Sequence, residues 1–97
     1  MAFVQIMEVH TSNFDGLSDL DRQWREATEG KRTLRREMVA QDRSDPNRYL
    51  VLAFFDDYDS AMVNSNLPET AEFGQKQAAL LDAPMQFTDL DVIEERP

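Results

Sequence analysis

The spacing of apolar residues changes early in the chain, which predicts a strand followed by a helix. The segment Ala2–Val9, AFVQIMEV, carries apolar residues on both of its faces, as central strands do. Leu17, Leu20, Trp24 and Ala27 then recur at steps of three and four residues, which places them on one stripe of a helix. The chain is therefore predicted to begin with a β-α unit.

Residues suited to helix ends flank this first predicted helix. Ser12 or Asn13 can cap its first turn, because their side-chain oxygens accept hydrogen bonds from free backbone N–H groups. Gly30 can end it, because glycine readily adopts the left-handed conformation found just after helices. The helix is thus predicted to lie between these positions.

A hairpin of one polar and one apolar strand is predicted in the middle of the chain. Arg32–Asp42 is predicted as an edge strand, with Leu34, Met38 and Ala40 on one face and charged residues on the other. The motif RSDPNR favours a turn, since proline fixes φ and Asp and Asn suit turn positions. Tyr49–Phe55, YLVLAFF, is then predicted as a second central strand.

Two helices and a last strand are predicted in the remaining residues. One residue of the pair Asp56–Asp57 caps a short helix that continues through Met62. Pro68 fits the first turn of a further helix, which Pro84 ends. The segment Met85–Glu95 alternates in polarity, so it is predicted as a second edge strand.

The order β-α-β-β-α-α-β predicts a single α+β domain over residues 1–97. With right-handed crossovers, this order forms a ferredoxin-like four-stranded antiparallel sheet with helices on one face. The two most apolar strands then lie at the centre and the two most polar strands at the edges. Because neighbouring strand residues point to opposite faces, the uncovered face also carries apolar side chains. We expect that face to pack against a second copy of the chain.

Composition and charge exclude several classes of function. The formal charge of −9 argues against binding to nucleic acid or to an anionic membrane surface. The chain has no cysteine, which excludes disulfides, thiolate catalysis and cysteine-based metal sites. The first ten residues lack the basic region of a signal peptide, and the longest apolar run is too short to span a bilayer. These features together predict a cytoplasmic protein.

Three motifs carry a resemblance to a known superfamily over nearly the whole chain. They are the turn DRSDPNRY, the strand LVLAFF and the segment DDYDSAMVNSNLPETAEF, where Ala61, Pro68 and Phe73 match the family in position. On these motifs the chain resembles the dimeric α/β-barrel superfamily, in particular its antibiotic-biosynthesis-monooxygenase-like domains. The resemblance implies a homodimer whose sheets form a barrel, with a pocket between sheet and helices in each subunit.

The activities that this resemblance implies are diverse. Some members oxidise aromatic polyketide-like substrates with O2 and no cofactor, others degrade haem, and others isomerise or dechlorinate small molecules. This chain departs from the haem-degrading pattern, because its first strand has no Asn and no histidine follows His10. Asn64 stands where the family often places a histidine. We therefore expect no haem and no other cofactor.

Asn64 and His10 are the candidate catalytic residues. Asn64 can donate a hydrogen bond to a substrate carbonyl or a developing oxyanion; its alternative role is to end a helix. His10 is the one histidine, and the ordinary pKa of that residue type suits a proton shuttle at neutral pH. Its alternative role is that of a solvent-facing residue at a strand end.

Four further residues are candidate substrate contacts. Trp24 is either a flat wall for an aromatic ligand or a core residue. Arg36 belongs to an arginine cluster that can hold a substrate carboxylate or enolate, or can pair with nearby acids. Tyr49 is a candidate for the pocket rim, and Met62 for the pocket lining or the core. No metal site is predicted, because the acidic residues lack histidine partners at metal-binding spacing.

Two functions from different classes are compatible with these features. The first is a cofactor-independent monooxygenase acting on an aromatic polyketide-like or quinol substrate. It requires only an apolar cleft and polar groups that favour the deprotonated substrate. The second is a homodimer without catalytic activity that binds a small apolar or aromatic ligand, or serves a structural role. A cavity of about a few hundred cubic ångströms distinguishes a ligand-binding protein from a structural one.

Overall fold

The computed structural model describes residues 1–97 as a four-stranded antiparallel sheet with three helices. The strands lie in the order β2-β3-β1-β4, so the predicted α+β ferredoxin-like topology is confirmed, with the two most apolar strands at the centre. No helix is long and apolar enough to cross a bilayer. The elements are β1 (Phe3–His10), α1 (Phe14–Ala27), β2 (Arg36–Asp42), β3 (Asp45–Phe55), α2 (Tyr58–Ser65), α3 (Pro68–Ala78) and β4 (Gln86–Asp91).

The strand register assigns every strand side chain to one of two faces. Phe3 pairs with Phe55 and Gln5 with Ala53, so the odd-numbered residues of these strands share a face, which the helices cover. Phe3, Ala53 and Phe55 form a buried cluster there with Ala61 of α2. The even-numbered residues point to the uncovered side, called here the open face. Its apolar members are Val4, Ile6, Met38, Ala40, Leu50, Leu52, Phe54 and Leu90.

The helix starts follow the predicted capping residues. Asn13 caps α1, because its side chain accepts a hydrogen bond from the backbone N–H of Gly16 at 3.0 Å. Asp57 caps α2 in the same way through Ser60 N at 2.7 Å. Pro68 occupies the first turn of α3, where no backbone N–H is needed. These local signals therefore fix where each helix begins.

The β2–β3 hairpin turns earlier in the chain than predicted. Its loop is Arg43–Ser44, and β3 already begins at Asp45, so the prediction of a turn over RSDPNR is wrong. An irregularity in the ladder between Gln41 and Asp42 accommodates the extra residues around Pro46. The Gln41 amide also donates a hydrogen bond to the Pro46 carbonyl at 2.9 Å. The strand β3 can therefore include Pro46, although proline has no N–H to donate to the hydrogen bonds of the ladder.

Three other elements are shorter than predicted. The strand β2 begins at Arg36, so Leu34 precedes it and packs against the helix-side cluster, while Met38 and Ala40 lie on the open face. The prediction that these three residues share a face is therefore wrong. The strand β4 covers only Gln86–Asp91, and α3 ends at Ala78 rather than near Pro84.

The segment after α3 is fastened to the end of β1. The Thr11 hydroxyl donates to the Leu80 carbonyl at 2.8 Å, and Asp82 N donates to the His10 carbonyl at 2.8 Å. Thr11 is almost completely buried. These bonds hold the end of α3 beside the sheet, so that α1 and α3 lie over the helix-covered face and leave a cleft beneath them.

Candidate functional site

The cleft between the sheet and the helices holds a cavity of about 270 Å³. A second cavity of about 120 Å³ adjoins it. Their combined size suits a small aromatic molecule, since ligand pockets are commonly about 300–1,000 Å³. A wider depression of about 570 Å³ beside the end of α3 has Asp82 as its one ionisable lining residue. Both cavities of the cleft are lined by Met7, Asp21, Glu37, Phe73, Gln77 and Met85.

Aromatic side chains form one wall of the cleft. Trp24 lies on the buried side of α1 with 6% of its surface exposed, and its ring centroid is 5.9 Å from that of Phe73 on α3. The indole N–H donates to the Thr70 hydroxyl at 2.9 Å, so the polar atom of the ring is satisfied. The tryptophan is therefore both a packed residue and a flat, rigid cleft wall.

Asn64 contributes a polar group to the same cleft. It follows Ala61 by three residues on the inward side of α2, and 7% of its surface is exposed. Its Oδ1 accepts a hydrogen bond from the backbone N–H of Thr33 at 3.2 Å, which fixes the orientation of the amide. Its Nδ2 has no partner within the chain. The amide thus presents an unused donor among the residues that line the cavity.

Two carboxylates and one guanidinium form the charged part of the cleft. Arg25 Nε donates to Asp21 Oδ2 at 2.8 Å, whereas its Nη2 lies 3.4 Å from Glu37 Oε1. Only 15% of the Glu37 side chain is exposed. Burial raises the pKa of Glu37, the nearby Asp21 charge raises it further, and Arg25 opposes both effects. Glu37 is therefore a carboxylate whose charged form is poorly stabilised.

Sequence reasoning did not select Glu37 as a site residue. It was assigned to the charged face of an edge strand, and the same alternation in fact turns it towards the helices. Its neighbours Arg36 and Met38 point to the open face instead. The alternation of strand residues could have placed Glu37 in the cleft, provided that the sheet face covered by the helices was also known.

The predicted pair Asn64 and His10 is not brought together, because the two residues lie on opposite sides of the sheet. His10 is on the open face, where its Nε2 lies 3.2 Å from Glu8 Oε2. Arg48 donates to the other oxygen of Glu8 at 2.5 Å and to Asp42 at 2.9 Å. His10 therefore belongs to the polar network around Glu8 and Arg48 and not to the cleft.

The four predicted substrate contacts are also separated, and only Trp24 lines the cleft. Tyr49 is on the helix side but stacks on Phe14, with ring centroids 4.5 Å apart. Arg36 lies on the open face, with its guanidinium 4.9 Å from the centroid of the Phe54 ring. Met62 lies on the outer side of α2 and is 37% exposed.

Comparison with known proteins supports the fold. No family model and no curated protein matches the sequence. A candidate antibiotic biosynthesis monooxygenase from Nitrosomonas europaea superimposes with a TM-score of 0.79 at 13% identity, covering 95% of this chain and 90% of its own. A candidate from Caulobacter crescentus gives 0.82 at 8% identity, covering 96% and 91%. One from Bordetella bronchiseptica gives 0.77 at 14% identity, covering 96% and 98%.

These similarities confirm the expected likeness to antibiotic-biosynthesis-monooxygenase-like structures at the level of the fold. The superpositions cover at least nine tenths of both chains in each of the three cases, so the whole domain is shared. Identities this low leave the side chains of the cleft free to differ. A fold of this kind supports several activities, so the function has to be argued from the cleft itself.

Proposed function

We propose that the cleft binds a small aromatic molecule and that the protein is a cofactor-independent monooxygenase for an aromatic polyketide-like or quinol substrate. The observation that carries this proposal is the apolar cavity with an unused, oriented donor at Asn64. The names of the structural neighbours point to the same activity.

The chemistry requires little from the protein beyond binding and electrostatics. Trp24 and Phe73 hold the aromatic rings, while the Asn64 amide donates to a carbonyl oxygen and stabilises the enolate or phenolate form. That anion is the reductant for O2. In an anthrone, the methylene carbon loses two hydrogens and gains one oxygen atom, and the second oxygen atom leaves as water.

We also propose that two copies of the chain pair through their open faces. The face is apolar at its centre, and its ionised groups are two arginines, Arg36 and Arg48, with two carboxylates, Glu8 and Asp42. Its net charge is therefore near zero, although the whole chain carries −9. Two such faces meet without the repulsion that the rest of the surface imposes. A mass measurement by light scattering at micromolar concentration tests this, and a monomer would contradict it.

Oxygen consumption tests the proposed enzyme activity directly. The protein is mixed with anthrones and hydroquinones in an oxygen-electrode cell, and products are identified by mass spectrometry. We expect one O2 consumed per quinone formed, with one oxygen atom from labelled O2 in the product. Formation of hydrogen peroxide in place of water would indicate an oxidase and overturn the proposal.

A binding protein without catalytic activity is the second candidate, and one observation favours it. No histidine lines the cleft, since His10 lies on the open face. Such a protein raises its thermal midpoint with an aromatic ligand but consumes no O2. A ligand at 100 times its Kd adds about 2.7 kcal/mol to the free energy of unfolding. A clear shift without oxygen uptake would therefore select this candidate.

A further inference from the structure

Glu37 is an ionisable group of the cleft whose hydrogen-bonding capacity is largely unused. Its partner is Arg25, whose Nη2 lies 3.4 Å from Glu37 Oε1 and whose Nε holds Asp21 more closely at 2.8 Å. A poorly paired carboxylate in apolar surroundings costs stability. Elsewhere on the sheet, Glu8 is held by short bonds to Arg48. The weakly paired carboxylate of Glu37 is thus available to a ligand in the cavity that this residue lines.

We propose that Glu37 is the proton acceptor for an acidic hydroxyl on the aromatic ligand, with Asp21 and Arg25 as positioning residues. This inference rests on the proposed ligand-binding function of the cleft. In the step, the O–H bond of the ligand breaks and an O–H bond forms on a Glu37 carboxylate oxygen. The electron pair stays on the ligand as a phenolate or enolate. The step consumes no oxidant, and it supplies the anion on which the reaction with O2 depends.

The surroundings of Glu37 make it a stronger base than an ordinary glutamate. Burial and the Asp21 charge raise the pKa of Glu37, which brings its basicity closer to neutral pH. Asp21 and Arg25 of α1 are the charged groups that face it, and Asp89 of β4 shares its sheet face. The polar groups that the other elements bring to the cavity are uncharged: Gln5, Asn64, Ser65, Thr70 and Gln77.

The cleft therefore combines an acceptor and a donor with aromatic walls. Glu37 meets a hydroxyl, and Asn64 meets a carbonyl oxygen. A molecule with both groups on fused rings satisfies both side chains at once. The substrate class that follows is the hydroxylated aromatic ketone, in preference to a plain hydrocarbon or an ether.

A matched pair of ligands tests this assignment without requiring turnover. Binding of 2-naphthol and of 2-methoxynaphthalene is measured by titration calorimetry between about pH 5 and about pH 8, where naphthol in solution stays protonated. We expect the wild-type protein to bind naphthol more tightly as pH rises and Glu37 ionises. In Glu37→Gln, the preference for naphthol over the ether falls by about tenfold or more, since hydrogen bonds to charged groups are the strong ones. Its naphthol affinity also becomes independent of pH.

Asp21→Asn tests the positioning role of the neighbouring carboxylate. It removes the like charge and leaves Arg25 free to pair with Glu37, so the pH midpoint of naphthol binding moves to lower pH. Survival of the preference for naphthol in Glu37→Gln would overturn the assignment of Glu37, and an unchanged midpoint in Asp21→Asn would overturn the positioning role of Asp21. Circular dichroism checks that both variants are folded, and a ¹³C titration of the Glu37 carboxyl locates its midpoint in the wild-type protein.

The result also separates this inference from the function on which it rests. If wild-type protein binds both ligands equally at every pH, the role of Glu37 is wrong and the aromatic cleft stands. If it binds neither ligand, the proposed function fails and the role of Glu37 fails with it.

Discussion

The open face and the cleft lie on opposite sides of the same four strands, yet their charged side chains are paired very differently. On the open face, Arg48 bonds to Glu8 at 2.5 Å and to Asp42 at 2.9 Å, and His10 completes the network. In the cleft, Glu37 has only a 3.4 Å ion pair. The charges of the open face are satisfied within the chain, whereas Glu37 in the cleft is only weakly paired.

This difference separates groups that serve the architecture from groups available to a ligand. The Arg48 network leaves the open face almost neutral, as suits the proposed pairing of two copies through this face. The cleft retains an unused donor at Asn64 and a weakly paired acceptor at Glu37. Unsatisfied polar groups in a cavity are costly, and their cost is recovered when a complementary ligand binds.

The largest expected effect is on assembly, from a charge at the centre of the open face. Leu52 lies between Ile6 and Met38 in the sheet, so Leu52→Glu places a carboxylate within the proposed interface. An unpaired buried charge costs about 3–5 kcal/mol, so we expect the dimer dissociation constant to rise by about a hundredfold or more. Sedimentation velocity measures the change. Val63→Glu, on an exposed part of α2, is the control that should leave the mass unchanged.

The next effect concerns the donor in the cleft. Asn64→Asp keeps an oxygen for the Thr33 N–H but removes the amide donor. We expect the affinity for an aromatic ketone to fall by about ten- to a hundredfold, as for a lost hydrogen bond to a developing anion. Titration calorimetry at neutral pH measures it. An unchanged affinity would remove Asn64 from the binding site.

A comparison with Asn64→Ala separates binding from folding. Alanine removes the acceptor as well, so the Thr33 N–H loses its partner and the free energy of unfolding falls by about 1–3 kcal/mol. Asn64→Asp should keep most of this stability. Equal destabilisation in both variants would show that the anchoring bond to Thr33 is unimportant.

The two faces should also respond to pH in opposite directions. Arg48 holds the pKa of Glu8 below its usual range, and it also helps, after the backbone of Ser44, to lower that of Asp42. The resulting stability is present above the ordinary carboxyl pKa of about 4 and is lost as pH falls through the lowered values. We expect Arg48→Met to lower the thermal midpoint at neutral pH, with a smaller effect in acid. A difference independent of pH would contradict this.

Glu37→Gln is expected to give the smallest change in thermal midpoint, and the change at neutral pH is an increase where Arg48→Met gives a decrease. The pKa of Glu37 is raised in the fold, so its ionisation destabilises the protein as pH rises from the ordinary glutamate range through the raised value. The neutral variant should therefore have a higher thermal midpoint at about pH 7, and this gain should vanish in acid. Calorimetric melting across pH tests it. A lower midpoint at neutral pH would show that the Arg25 contact outweighs burial.

The sequence predicted the fold well because the strongest signals are local. Apolar runs marked β1 and β3 as central strands. The helix starts were predicted at Ser12 or Asn13, at Asp56 or Asp57, and at Pro68, and the structure has Asn13, Asp57 and Pro68 there. The hairpin was misplaced because Pro46 suggests a turn, whereas an irregular ladder lets the strand include it. Boundaries of this kind depend on pairing between strands and not on local preference.

The cleft was harder to predict because it depends on which strand face the helices cover. Both central strands are apolar on both sides, so alternation alone does not assign His10 to the open face or Glu37 to the cleft. Trp24 could be assigned to the inward side of its helix, as core or as cleft wall, because its helical stripe has one such side, and it lines the cleft. Reliable prediction of the site would have required both the handedness of the helix crossovers and the register of the strand pairs.

The fluorescence of Trp24 distinguishes ligand binding in the cleft from pairing of the open faces. Trp24 is the chain's one tryptophan, it is held in the cleft wall by its bond to Thr70, and the open face has none. Its fluorescence therefore changes when an aromatic ligand stacks against it and stays constant when two sheets meet. Ligand binding is thus observable in unlabelled protein by emission intensity, and assembly by the rotational anisotropy of the same signal.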